Sequence, residues 1–143
     1  MLENPQAIKD ALIQWIREYF SQNGPTCSAV VGISGGKDST IVAALCKEAL
    51  GADRVVGVLM PNGIQSDIDD AKAVVEHLGI PHMTVNIGSA YEALTQAIVQ
   101  GDGYNVVTGR NDLSRDAVIN TPPRLRMRSE ERRVGKECRI GCR

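Results

Sequence analysis

The sequence predicts an α/β chain built on a doubly wound parallel sheet, and three observations carry that reading. Strand-like runs recur about 27 residues apart, each followed by a segment of helical period, the pattern of right-handed βαβ units. Two of those runs, Ala29-Val30-Val31 and Val55-Val56, are continuously apolar, as strands covered on both faces are. The first strand also ends in a glycine-rich turn that opens a helix.

Taken in order, Asn4-Pro5 is a helix cap followed by proline at the first helical position. Ile8, Leu12, Trp15, Ile16, Tyr19 and Phe20 then recur at helical spacing, and Gly24-Pro25 ends the pattern. The Trp-Tyr-Phe stripe reads as a packing face. A strand over 28–33 leads to a helix over 38–50, closed by Gly51. A second strand over 54–60 ends at Pro61-Asn62-Gly63. Ser66 reads as the cap of a helix with Asp67, Asp69 and Asp70 in its first turn, where the dipole favours acids, and Gly79 closes it. A third strand over 82–87 precedes Ser89-Ala90-Tyr91-Glu92, which reads as a capping box opening a helix to about residue 100. From Gly101 to Asn120 the periodicity fades and the sequence reads as loop.

The 143 residues are 43% hydrophobic and 23% charged, with a formal net charge of −1, which fits one globular domain. Aromatic residues are 3% of the chain, too few for a base-stacking platform, so no nucleic-acid partner is expected. No apolar stretch approaches the roughly 20 residues of a membrane span, and no secretory signal opens the chain. A cytoplasmic protein is the expectation. None of the four cysteines forms a pair at zinc-ribbon spacing, and Cys27 and Cys46 read as small buried hydrophobes. His77 and His82 read as structural. Charge is uneven, net −4 over residues 1–127 and net +3 over 128–143.

The chemistry concentrates in Gly32-Ile33-Ser34-Gly35-Gly36-Lys37-Asp38-Ser39, at a strand-to-helix turn, and ligands of open parallel sheets bind at such strand ends. Adjacent glycines let the backbone approach an anion, the helix start offers unpaired N–H groups, and Ser34, Ser39 and Thr40 add hydroxyls. The segment has neither the Walker A pattern nor G-x-G-x-x-G. Asp38 beside a phosphate cradle would repel the ligand unless a cation lay between them, and Mg²⁺ takes that mixture of oxygens; the alternative is a helix-start acid favoured by the dipole. Arg124 suits a carboxylate or phosphate. On its own, the cluster of Arg124 and Arg126 reads as a solvated basic face.

Ser-Gly-Gly-Lys-Asp-Ser over 34–39 resembles the pyrophosphate loop of the N-type ATP pyrophosphatases, whose fold is Rossmann-like, of the adenine nucleotide alpha hydrolase type. With Leu-Met-Pro-Asn-Gly-Ile-Gln-Ser-Asp over 59–67 and Asn-Thr-Pro-Pro-Arg-Leu-Arg-Met over 120–127, the chain resembles the ammonia-dependent NAD synthetases. The resemblance implies ATP-dependent amidation of deamido-NAD to NAD with ammonia, through an acyl-adenylate, releasing pyrophosphate and then AMP. It implies ATP binding by Gly32, Ser34, Gly35, Gly36, Lys37, Asp38, Ser39, Met60 and Gln65. It further implies Mg²⁺ on Asp38, with Asp38 and Lys37 as the catalytic pair, and deamido-NAD on Asn120 and Arg124. A homodimer is implied, with Trp15 and Tyr19 available to its interface. No glutaminase domain is read, so free ammonia is the expected nitrogen source. Alternatives are a tRNA-thiolating or GMP-forming relative, or an ATP-binding module without catalysis.

The resemblance runs from about Pro5 to Met127 and is weakest between Gly101 and Ile119, and residues 1–127 are expected to be an N-terminal part of the enzyme domain with an incomplete sheet. Residues 128–143, with their Arg-Ser-Glu-Glu-Arg-Arg-Val-Gly-Lys-Glu-Cys run, resemble the translation of a sequencing adapter and are expected to be a disordered, non-native tail.

Overall fold

The computed structural model describes residues 4–64 and 68–131. Three parallel strands, β1 (Ala29–Gly32), β2 (Val55–Leu59) and β3 (His82–Thr84), lie in the order β1-β2-β3. Ala29 aligns with Val55 and Gly57 with His82. Past the end of β3 the ladder continues, with the Val85 and Ile87 N–H groups donating to the carbonyls of Leu59 and Pro61 at 2.8 Å each. The α/β parallel architecture expected from the sequence is therefore present.

Strand side chains alternate, so each face of the sheet builds its own core. On one face Ala29, Ile33, Val55 and Leu59 meet Ala43 and Cys46 of α2 (Lys37–Leu50) and Ala71, Val75 and Leu78 of α3 (Ile68–Leu78). On the other, Val58, Met60 and Ile87 meet Val30, Met83, Val85 and Leu125. Leu125 comes from α6 (Arg115–Glu131), which lies beside α4 (Gly88–Val99) and the short α5 (Tyr104–Thr108).

Helix α1 (Pro5–Asn23) is capped as expected, the Ala7 N–H donating to Asn4 Oδ1 at 3.1 Å. Its aromatic stripe does not form the packing face as a whole. Ile13 is buried and Ile16 and Phe20 pack on the core, whereas Trp15 is 61% exposed and stacks on Tyr19 with centroids 5.5 Å apart. One helix face fits against α2, and Ile8, Leu12 and Trp15 lie outside it. Lys9 bridges Glu48 at 2.9 Å, and Arg17 donates to the carbonyls of Glu48 and Ala49, so α1 holds the C-terminal end of α2.

Two other expectations change. The Ser89 capping box is not formed, because α4 starts at Gly88 with Ile87 as its cap and no side-chain cap bond. Residues 104–108 and 115–120 are helical rather than loop, and α6 carries Pro122 and Pro123 in its interior. Its first turn is capped by Ser114, whose Oγ accepts from the Ala117 N–H at 3.2 Å, and Thr121 Oγ1 satisfies the Ala117 carbonyl at 2.7 Å. Helix α6 runs through Glu131. Cys46 is a buried free thiol, as read, whereas Cys27 is only half-buried. The Ser66 cap, Asp67 and residues 132–143 lie outside the described residues.

Candidate functional site

The turn between β1 and α2 is assembled from its own hydroxyls. Gly32 is the last residue of β1 and pairs with Val58 of β2, and the Ile33 N–H donates to the Val58 carbonyl at 2.9 Å. The chain then leaves the sheet, and the Ser34 N–H donates to Ser39 Oγ at 3.3 Å while the two seryl oxygens lie 3.1 Å apart. The Gly36 N–H donates to Ser34 Oγ, and Ser39 Oγ and Thr40 Oγ1 both donate to the Gly36 carbonyl, at 3.1 and 2.9 Å. Ser34, Gly36, Ser39 and Thr40 are thus bound into one small ring at the start of α2.

Gly35 is the residue the turn cannot exchange. Its φ is +79°, and a Cβ there would lie 2.9 Å from Asp70 Cβ and 3.0 Å from the Ala71 nitrogen. The loop backbone therefore rests directly on the first turn of α3, in a conformation that L side chains avoid. Gly36 caps α2 without a side-chain cap bond, so the first-turn amides of α2 have no side-chain acceptor from the cap. With Lys37 and Asp38 both exposed in that turn, the arrangement combines an anion-receptive helix start, a cation and one carboxylate.

Met60 follows the end of β2 and is 8% exposed, its side chain packed with Val58 and Ile87. Its carbonyl accepts from Arg126 Nε at 3.0 Å. Arg126 is therefore a half-buried tie between α6 and the mouth of the sheet rather than part of a solvated face. Asn120 and Arg124 occupy successive turns of α6, both exposed, with Arg124 Nη1 donating to the Asn120 carbonyl at 2.9 Å and Asn120 Nδ2 to the Asp116 carbonyl at 2.8 Å. Gln65 lies outside the described residues.

The turn of 34–39, the residue after β2 and the start of α3 thus meet at the C-terminal ends of the strands, the location where open parallel sheets take ligands. Arg126 ties α6 to the same edge. Sequence reasoning missed two residues there. Arg126 had only its clustering with Arg124 as a signal, and Asn86, which bonds the chain after Met60, had only its place at a strand end.

Mg²⁺ can be tested against these residues. Among the described residues no group of three His, Cys, Asp or Glu side chains could hold a metal alone. One exposed carboxylate beside a phosphate-receptive turn still fits this ion, which commonly takes one or two protein carboxylates together with substrate phosphates. Among the described residues no helix is long and apolar enough to cross a membrane.

A family model described as NAD synthase matches residues 8–133. The NH₃-dependent NAD⁺ synthetase of Pyrococcus furiosus is 36% identical over 95 residues, covering 66% of this chain and 35% of that protein. The solved NH₃-dependent NAD synthetase of Campylobacter jejuni, in complex with a nitrate ion, superposes with a TM-score of 0.70 at 26% identity, covering 88% of this chain and 50% of that one. The glutamine-dependent NAD⁺ synthetase of Acinetobacter baumannii, solved with adenosine diphosphate, gives 0.76 at 25% identity over 91% of this chain and 23% of that one. The chain spans well under half the length of the curated relatives it matches.

Proposed function

The chain belongs to the NAD synthase family, and from that premise we propose that it supplies the ATP-binding part of an ammonia-dependent NAD synthetase. The observation that carries the proposal is the hydroxyl-lined turn of 34–39, with Gly35 seated on α3 and the α2 amides uncapped by any side chain. Such a turn suits a pyrophosphate group, because several N–H and O–H donors converge on one point at a positive helix end. In this reading Gly32, Ser34, Gly35, Gly36 and Ser39 hold the phosphates, while Met60 and Gln65 border the adenosine. Asn120 and Arg124 receive deamido-NAD, and the fork geometry of the guanidinium fits an anionic group of that substrate.

The reaction follows from charge and position. The nicotinate carboxylate attacks the α-phosphorus of ATP, the α–β bridge breaks, and pyrophosphate leaves into the turn. Lys37 offsets charge on the departing group, and Asp38 is the residue that would hold Mg²⁺. The ion, when bound, neutralises phosphate oxygens and lowers the repulsion felt by the incoming carboxylate. Ammonia then displaces AMP from the acyl-adenylate. No side-chain nucleophile is needed, since the substrate carboxylate supplies the attacking oxygen. The same proposal includes a cytoplasmic setting and a homodimer.

The test is calorimetric ATP binding with and without Mg²⁺, followed by AMP release dependent on both deamido-NAD and ammonia. Asp38→Asn should lower Mg²⁺-dependent ATP affinity by at least about tenfold, the loss expected when a charged ligand becomes neutral, and should raise the weak Mg²⁺-free affinity, because the carboxylate no longer repels the phosphates. ATP binding without AMP release favours a binding module. Absence of ATP binding overturns the proposal.

A further inference from the structure

Beyond β2 the chain must turn away from the sheet, and one side chain governs how it does so. Pro61 is held by the ladder through the Ile87 N–H. Two residues later Gly63 turns with φ +73°, and both of its backbone groups are taken by Asn86: Oδ1 accepts from the Gly63 N–H at 3.0 Å and Nδ2 donates to the Gly63 carbonyl at 3.1 Å. The same Oδ1 accepts from the Gly88 N–H at 2.9 Å. A side-chain amide presents an acceptor and a donor side by side, so here it pairs with Gly63 as a neighbouring strand residue would. The fit is close. A Cβ on Gly88 would stand 2.8 Å from the Gly63 nitrogen and 2.9 Å from Asn86 Oδ1.

We infer that Asn86 is a positioning residue for nucleotide binding, fixing the backbone of residues 61–64 as the wall at the nucleoside end of the ATP site. This rests on the ATP-binding reading above. Asn86 is exposed at the C-terminal edge of the sheet, and beside the ladder bond from the Ile87 N–H to the Pro61 carbonyl its side chain joins two connections, β2 to α3 and β3 to α4. The segment it holds begins with Met60 and leads into Gln65, whereas the phosphate turn is held independently by Ser34, Ser39 and Thr40. Release of Asn86 therefore loosens one end of the site and leaves the other intact.

The experiment compares ATP and inorganic pyrophosphate, each titrated calorimetrically into the full chain, its Asn86→Ala variant and its Asn86→Asp variant. In Asn86→Ala, ATP affinity should fall about tenfold while pyrophosphate affinity stays within about twofold, the size expected for losing a few solvent-accessible hydrogen bonds. Asn86→Asp keeps the acceptor for both N–H groups but loses the donor to the Gly63 carbonyl, so it should fall between and retain the wild-type melting temperature within a few degrees. If ATP and pyrophosphate affinities fall together, or neither changes, Asn86 is structural only and the inference is overturned while the ATP reading stands. Should the wild-type chain bind neither probe, the ATP reading fails and the inference with it.

Discussion

The two faces of the sheet are closed by different means. Among the described residues the face under α1, α2 and α3 buries ten residues in one cluster, and α2 and α3 are the next helices after β1 and β2. The opposite face buries three, and its cover comes from Leu125, more than sixty residues after Val58. On that side Val106 and Val107 of α5 are 84% and 86% exposed, and Ile119 and Met127 of α6 are exposed as well. A face closed by neighbours in sequence forms a continuous core at low loop-closure cost. A face closed from a distance depends on a few specific ties, of which Arg126 to the Met60 carbonyl is one.

That contrast can be broken most severely at Leu59, which is fully buried in the larger cluster. Leu59→Ala should cost about 2–5 kcal/mol, read as a lower urea midpoint at unchanged slope. A loss below 1 kcal/mol would mean that the first face is no better packed than the second. Arg126→Ala removes a half-buried tie and should cost about 1–2 kcal/mol, with hydrogen exchange accelerating first in α6. If exchange rises equally in α2, the faces do not open separately. Val107→Ser, by comparison, should change stability by less than about 0.5 kcal/mol while lowering binding of a hydrophobic dye.

The smallest effect is a pH dependence. Burial raises the Cys46 thiol above its ordinary value of 9.0, so the folded state holds this proton more tightly than the unfolded state. The resulting stability is present below pH 9 and is lost as pH rises through the folded value. Alkylation of Cys46 should therefore stay slow at pH 9, where an exposed thiol reacts, and Leu59→Ala should speed it by opening the same cluster. Fast modification in the wild-type chain at pH 8 would contradict a closed first face.

Much of the first face was legible in the sequence, because its signals are local. Asn4 caps α1, and α2 ends at Gly51, as the spacing of apolar residues and caps requires. The second face was less legible. Pro122 and Pro123 made a helix over 115–131 hard to expect, since proline removes backbone donors from a helix interior. Helix α6 forms nonetheless, with Ser114, Thr121 and Asn120 side chains bonding backbone groups and Leu125 gaining a place in the core. The stripe on α1 was readable as amphipathic, but which edge of it faces the core was settled by α2, and Trp15 went to solvent.

By itself the sequence determined the α/β class, the parallel order implied by alternating strands and helices, and the place of the glycine-rich turn at the end of β1. Each of these follows from periodicity, capping and glycine placement over a few consecutive residues, where bond geometry alone limits the choices. The tertiary structure decided the rest of the site: Asn86 meeting Gly63 across 23 positions and Arg126 meeting Met60 across 66. A polar side chain has many backbone groups it could bond, and only the folded backbone brings one of them within 3 Å.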